Sequence, residues 1–150
     1  MIIKDEDRLR LPCEEVLPGE VDNLRAKLEQ ELKKSARRGR PGMGLAAPQI
    51  GIQKRMAIVR IKATNGKSYN LDLINPNIYI TNDLVTFDEG CLSFPGQSIL
   101  TRRYNEIVVE TGLEESRESV AATGLIAVCI QHETDHLDGI LMMDRAVKGK

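Results

Sequence analysis

Apolar residues recur at Val21, Leu24, Leu28 and Leu32 within VDNLRAKLEQELKKSARR. Steps of three and four put them on one stripe and predict an amphipathic helix that ends before Gly39 and Pro41. The pattern then changes. RMAIVRI, YNLDLINP, NIYITN and EIVVET are short and rich in β-branched residues, several with near-alternating faces, and predict strands. Near the end, SVAATGLIAVCIQHETDHLDG predicts a second helix, starting around Thr123 and stopping near Gly139. The order helix, strands, helix implies an α+β fold with mixed or antiparallel β-sheets. The run GLIAVCI makes the second helix a buried, central one.

Composition narrows this picture. A chain of 150 residues without an internal repeat or linker is expected to form one domain over 1–150. With no Trp and two Phe, its core must be mainly Ile, Leu, Val and Ala. A net charge of -1 argues against a nucleic-acid binder driven by bulk charge. No apolar run approaches the ~20 residues needed to cross a bilayer, so no membrane partner is expected. The N-terminus MIIKDEDRLRLP lacks a signal-peptide core and an Arg/Ser-rich transit pattern. Cys13, Cys91 and Cys129 form no disulfide framework, which fits reduced thiols in a cytoplasm. KKSARRGR (33–40) suits a solvated helix end whose cations complement the dipole; the competing reading is a patch that touches RNA or an acidic partner.

The chain has two histidines, and both lie in QHETDH. On a helix, residues i and i+4 differ by about 40° in direction and ~6 Å in rise. His132 and His136 can therefore share one metal ion, with Glu133 close enough to reach its water. HExxH on a helix is the signature of zinc hydrolases, the glutamate acting as general base. A catalytic site needs three protein ligands and a water, so the third must be Cys, Asp or Glu. In the extended pattern HExxHxxGxxH, Gly139 fits but Met142 stands where the last histidine should be. No Glu follows His136; Asp138 and Asp144 are poor substitutes. Cys129 points to the histidine side but lies ~10 Å along the axis from His136, and reads as a small buried apolar residue. Cys13 has no supporting motif. Cys91, in DEGCLSFPG, sits in a turn that can present a thiolate to a helix face.

Three segments in order, GMGLAAPQ (42–49), EGCLS (89–93) and QHETDH (131–136), resemble the peptide deformylase family, whose members carry GxGxAAxQ, EGCLS and QHExDH. The resemblance implies a hydrolase of protein biosynthesis that removes the formyl group from N-formylmethionine of newly made polypeptides and releases formate. It implies one divalent metal ion, Fe(II) first, with Zn or Ni as alternatives in purified protein, held by Cys91, His132 and His136. It implies Glu133 as the proton-transferring base, and the Gln49 amide and the Leu92 backbone N–H as donors to the oxyanion. Substrate would lie like an added strand beside Met43 and Gly44, with Glu89 and Gly90 also on the substrate side. The methionine pocket would comprise Met43, Phe87, Leu125, Val128 and Cys129.

Departures qualify the resemblance. Many members have an arginine where this chain has Ser98, which puts contact with the substrate backbone outside the methionine pocket in doubt; Arg102 or Arg103 would instead serve as a partner for Glu89. Many bacterial members continue into a long C-terminal helix used at the ribosome, so any ribosome contact is expected to be transient and made without it. Short forms occur in the family, some carried by phages, and the expected compartment is the cytoplasm, or the host cytoplasm for a phage protein. Two rival readings remain at this level: a metallopeptidase using HExxH, against which the missing third His or Glu speaks, and a non-catalytic metal- or peptide-binding module, against which Glu133 and Gln49 speak.

Overall fold

In the computed structural model, which describes residues 1–80 and 83–147, a buried helix packs against strands of three antiparallel sheets. The chain runs through α1 (Glu6–Leu9), α2 (Val21–Arg37), β1 (Gly44–Ala46) and a 3-10 turn (Ala47–Ile50). Next come β2 (Met56–Lys62), β3 (Ser68–Ile74), β4 (Asn77–Ile80), β5 (Leu84–Cys91) and β6 (Phe94–Tyr104). β7 (Glu106–Thr111), β8 (Glu118–Thr123), α3 (Gly124–Leu137) and a 3-10 turn (Met142–Arg145) complete the described chain. The sheets are β1-β2-β3, β4-β7-β8 and the hairpin β5-β6, and every strand pair is antiparallel. The fold is α+β, and the "mixed" alternative drops out for the named strands.

The stripe Leu24, Leu28 and Leu32 is buried, and Val21 packs at its edge. It lies against Leu45, Met56, Ile58 and Ile74. Alternate residues of β2, Ala57, Val59 and Ile61, face the other way into a second cluster with Ala127, Ile130 and Leu137 of α3. β2 is therefore covered on both sides, which is why MAIVRI reads as a continuous apolar run rather than an alternating one. The helix α2 stops where expected: Gly39 adopts φ 81° and its N–H returns to the carbonyl of Ala36, a left-handed exit that glycine makes without steric cost.

The second helix begins at Gly124 with Thr123 as its N-cap, as expected, and the φ of 62° at Gly124 turns the chain from strand into helix. The residues ahead of it pair with β7 as β8, a strand not expected from the sequence. The helix ends at Leu137, two residues before Gly139. Gly139 has φ 72°, and a Cβ there would come within 2.8 Å of the Arg10 carbonyl oxygen, so it ends the helix by close approach as well as by conformation. The NIYITN strand is present as Asn77–Ile80; its last two residues lie outside the described chain.

Leu28 is fully buried between α2 and β2. Leu28→Ala is expected to cost about 2–5 kcal/mol of unfolding free energy through the lost methyl groups and the cavity left behind, measurable by urea denaturation with an unchanged m-value.

Candidate metal centre

Every residue of α3 from Ala127 to Leu137 is buried, including Gln131, His132, Glu133, Thr134, Asp135 and His136. A helix this polar can be buried only if its neighbours satisfy its side chains. The β5–β6 hairpin supplies most of those neighbours. Cys91 pairs with Phe94 across the two-residue turn Leu92–Ser93, whereas Glu89 pairs with Ile99. The extra residues of β6 therefore bulge outward, which re-aims the end of the hairpin, and Pro95, Gly96 and Gln97 form a wall of a cleft.

Cys91, His132 and His136 meet at this point. Their nearest ligating atoms lie within 4.8 Å of one another, and Cys91 Sγ is 3.4 Å from His136 Nε2. Donor atoms around a tetrahedral ion with bonds of ~2.0–2.3 Å sit roughly 3.3–3.8 Å apart, so the spacing suits one divalent ion after small side-chain adjustment. His132 commits Nδ1 to Glu89 Oε1 at 2.8 Å, which leaves Nε2 for the centre, the carboxylate–histidine arrangement common behind metal ligands. The two rings stand edge to face, 5.0 Å apart. Asp138 is paired with Arg55 and Asp144 with Arg10, so neither joins the cluster. Met142, at the position of a third histidine, is buried in an apolar cluster with Ile3, Leu9 and Phe94.

Glu89 is held by an unusual number of donors. Arg103 forks onto it, Nε to Oε2 at 2.6 Å and Nη2 to Oε1 at 2.8 Å, and the Thr101 hydroxyl donates to Oε2. Burial raises its carboxyl, but Arg103, His132 and Thr101 outweigh that and hold it down at about 2. Of the two arginines considered as partners, Arg103 is buried on Glu89 and Arg102 is exposed. Burial opposes charging His132, yet its contacts with Cys91 and Glu89 prevail and raise it to about 10. His136 moves the opposite way, lowered by burial and then by the neighbouring His132.

Gln49 and Glu133 border the three donors. Gln49 is 1% exposed. Its Oε1 accepts from the backbone N–H of Ala46 at 3.0 Å, which orients the amide so that Nε2 faces Ser93 Oγ (3.1 Å) and Cys91 Sγ (3.4 Å). Glu133 is buried, its Oε1 has no partner among the described residues, and burial raises its carboxyl to about 7. That is the range in which a group can both take and give a proton near neutrality. Gly44 makes room for it: a Cβ on Gly44 would lie 2.7 Å from Glu133 Oε2 and 2.9 Å from the Ile58 carbonyl oxygen.

The cleft above these groups has a volume of about 510 Å³. Met43, Gly44 and Gln49 line it from β1 and the turn that follows; Phe87, Glu89, Gly90, Cys91 and Leu92 line it from the hairpin. Leu125, Val128, Cys129, His132 and Glu133 line it from α3. Of the residues that the resemblance assigns to the metal, the oxyanion or the substrate, all border the cleft except His136, which is 1% exposed. Burial raises the Cys129 thiol to about 12, which suits an apolar wall and not a thiolate ligand. Ser98 is exposed on β6. Sequence reasoning missed the supporting residues Ser93, Thr101 and Asp135. Ser93 and Asp135 lay inside quoted motifs, and Asp135 stands three residues from His132 on the helix, the one signal that could have found it.

Fold and site together define an α+β protein in which half-buried Cys91 and two buried histidines form a candidate metal centre at a cleft. Residues 1–150 match the family model described as polypeptide deformylase, and the chain belongs to that family. It is 47% identical to peptide deformylase 2 of Gloeobacter violaceus over 106 residues, 69% of this chain and 57% of that protein. The first curated relatives are matched over only 57–62% of their length. Among solved structures, a probable peptide deformylase from Synechococcus phage S-SSM7 superposes with a TM-score of 0.83 at 35% identity, covering 97% of this chain and 98% of that one. A peptide deformylase from Synechococcus elongatus, in complex with actinonin, gives 0.81 at 35% identity, covering 99% of this chain and 78% of that one.

Three substitutions test the geometry. Gly44→Ala is expected to displace the Glu133 carboxylate and to lower stability by about 1–3 kcal/mol, the scale of overpacking, read by denaturation. Cys91→Ala is expected to lose most bound zinc in elemental analysis, whereas Cys129→Ala keeps it; equal zinc in Cys91→Ala and wild type would remove Cys91 from the centre.

Proposed function

We propose that this chain is a metal-dependent hydrolase that removes the N-formyl group from the N-terminal formylmethionine of newly made polypeptides, with residues 1–150 acting as one catalytic domain. The observation that carries the reading is the convergence of the Cys91, His132 and His136 donors with the Gln49 amide and the buried Glu133 carboxylate, whose Oε1 has no hydrogen-bond partner among the described residues. Cys91, His132 and His136 would hold the ion. When bound, a divalent ion supplies an acidified water and polarises the carbonyl under attack.

The protein's own groups do the rest. Glu133 takes the proton as oxygen adds to the formyl carbon, then delivers it to the departing amine nitrogen, so that formate and a free N-terminus result. The Gln49 amide and the Leu92 backbone N–H donate to the oxyanion. The Ala46 N–H bond keeps the Gln49 amide aimed before substrate arrives, so no reorientation is needed during reaction. β1 is an edge strand, and an extended peptide beside Met43 and Gly44 would add to that edge. Its methionine would enter the apolar part of the cleft between Phe87, Leu125, Val128 and Cys129, and Glu89 and Gly90 would border it. A formyl carbon bears only hydrogen, so the crowding at Gly44 admits it and excludes the bulkier carbonyl of an internal bond.

Fe(II) is the proposed native ion, following the family; Zn and Ni are accepted by the same thiolate and imidazole donors. Action in the cytoplasm on formylated chains, with transient ribosome contact, completes the proposal. No described helix is long and apolar enough to cross a membrane, and the cations of 33–40 are largely exposed.

Wild-type protein loaded with Fe(II) or Ni(II) is expected to release formate from formyl-Met-Ala-Ser, and actinonin to block it. Glu133→Gln should retain the ion and lose turnover. Cleavage within unformylated peptides, without formate from formylated ones, would overturn the reading.

A further inference from the structure

Behind Glu89 the ionic contacts continue. Arg103 is 2% exposed and divides itself between two carboxylates: Nε and Nη2 go to Glu89, while Nη1 donates to Asp135. Asp135 is itself buried, and its second partner is Arg145, whose Nε and Nη2 reach Oδ2 and Oδ1, each at 3.0 Å. The order is Arg145, Asp135, Arg103, Glu89, His132, with charges alternating from the protein surface to a ring of the metal centre.

We propose that Arg145 is a positioning residue that acts through Asp135, Arg103 and Glu89 to fix the ring of His132 for the ion. The inference rests on the reading of His132 as a metal ligand. Glu89 Oε1 accepts from both Arg103 Nη2 and His132, so a shift of Arg103 moves the carboxylate that orients the ring. Asp135 pulls on Arg103 from the other side. Arg145 satisfies both oxygens of Asp135 with a planar fork and so limits that pull. Without Arg145, one buried cation would have to serve two buried carboxylates, and Arg103 would be drawn from Glu89 toward Asp135.

The geometry separates Arg145 from substrate. Arg145 and Asp135 line a second depression beside Arg55 and Tyr104, away from the cleft that holds Glu133. Arg145 also belongs to a turn that is itself tied down. Asp144 accepts from Arg10 at 2.8 and 3.1 Å and from the Leu141 N–H at 2.9 Å, so the N-terminal arm anchors the turn that presents the guanidinium. A lysine could neutralise Asp135 but could not fork onto both its oxygens.

The test compares wild type, Arg145→Met and Arg145→Lys, each loaded with Co(II). Release of the ion to a chelator, the visible ligand-field spectrum and steady-state constants are measured, with thermal unfolding in parallel. Outer-shell partners of metal-binding histidines typically contribute 10–100-fold to affinity. Arg145→Met is expected to release Co(II) about tenfold faster, near the bottom of that range, with a shifted spectrum, a lower kcat and an unchanged KM; Arg145→Lys should fall between. If wild type binds Co(II) and Arg145→Met matches it in release rate and spectrum, the inference fails even where the melting temperature drops. A raised KM with unchanged release would place Arg145 on substrate and also overturn it. Failure of wild type to bind Co(II) would overturn the metal-site reading itself.

Discussion

The structure depends on burying a helix that carries Gln131, His132, Glu133, Asp135 and His136 within six residues. An apolar core cannot surround such a segment unless each polar group finds a partner, because an unpaired buried group costs on the order of 1–3 kcal/mol. The β5–β6 hairpin meets that demand on one side with Glu89, Cys91 and Arg103. The end of β6 meets Gln131, which exchanges hydrogen bonds with both the N–H and the carbonyl of Tyr104. The apolar side of the same helix packs against β2 and β7. Position and partner are thus set together. Three buried groups of the helix have no hydrogen-bond partner among the described residues, Glu133 Oε1, Thr134 Oγ1 and His136 Nδ1, and of these residues Glu133 borders the cleft.

Much of this was legible in the chain. The α2 stripe, the apolar run of β2 and the buried start of α3 each follow from periodicity. The candidate metal donors were pointed to by two histidines at helical spacing and by three motifs in order, and the fold brings those three side chains together. What stayed hidden has a common cause. β6 contains Pro95, Gly96 and two arginines, so it lacks the alternation by which strands are found, yet it pairs along most of β5. The sequence offered Arg102 or Arg103 for Glu89 without choosing between them, and only the register of β6 turns Arg103 inward, where it also meets Asp135. β8 was not among the strands read from the sequence, because SVAAT has no strong strand pattern and no breaker before the helix that follows at Gly124. Buried charge pairs and bulged strands are properties of the assembled fold, and local sequence carries little of either.

Glycine has two different duties near the centre. At Gly139 the requirement is conformational and steric at once, and it decides where the helix stops. At Gly44 the backbone is ordinary strand, and the requirement is purely one of space beside Glu133. A motif scan treats the two alike, although only the second bears on chemistry.

The centre joins parts of the chain that are far apart in order. Cys91 lies 41 positions before His132 (132 − 91), at the tip of a hairpin that would otherwise be held to α3 only by side-chain contacts. An ion bound across that gap acts as a removable cross-link closing a loop of that length. By the chain-entropy estimate, such a closure restricts the unfolded ensemble by roughly 4 kcal/mol where the link persists on unfolding. Where the link is lost on unfolding, the folded form gains instead by mass action as free ion rises. Metal supply would then govern how much of the chain stays folded.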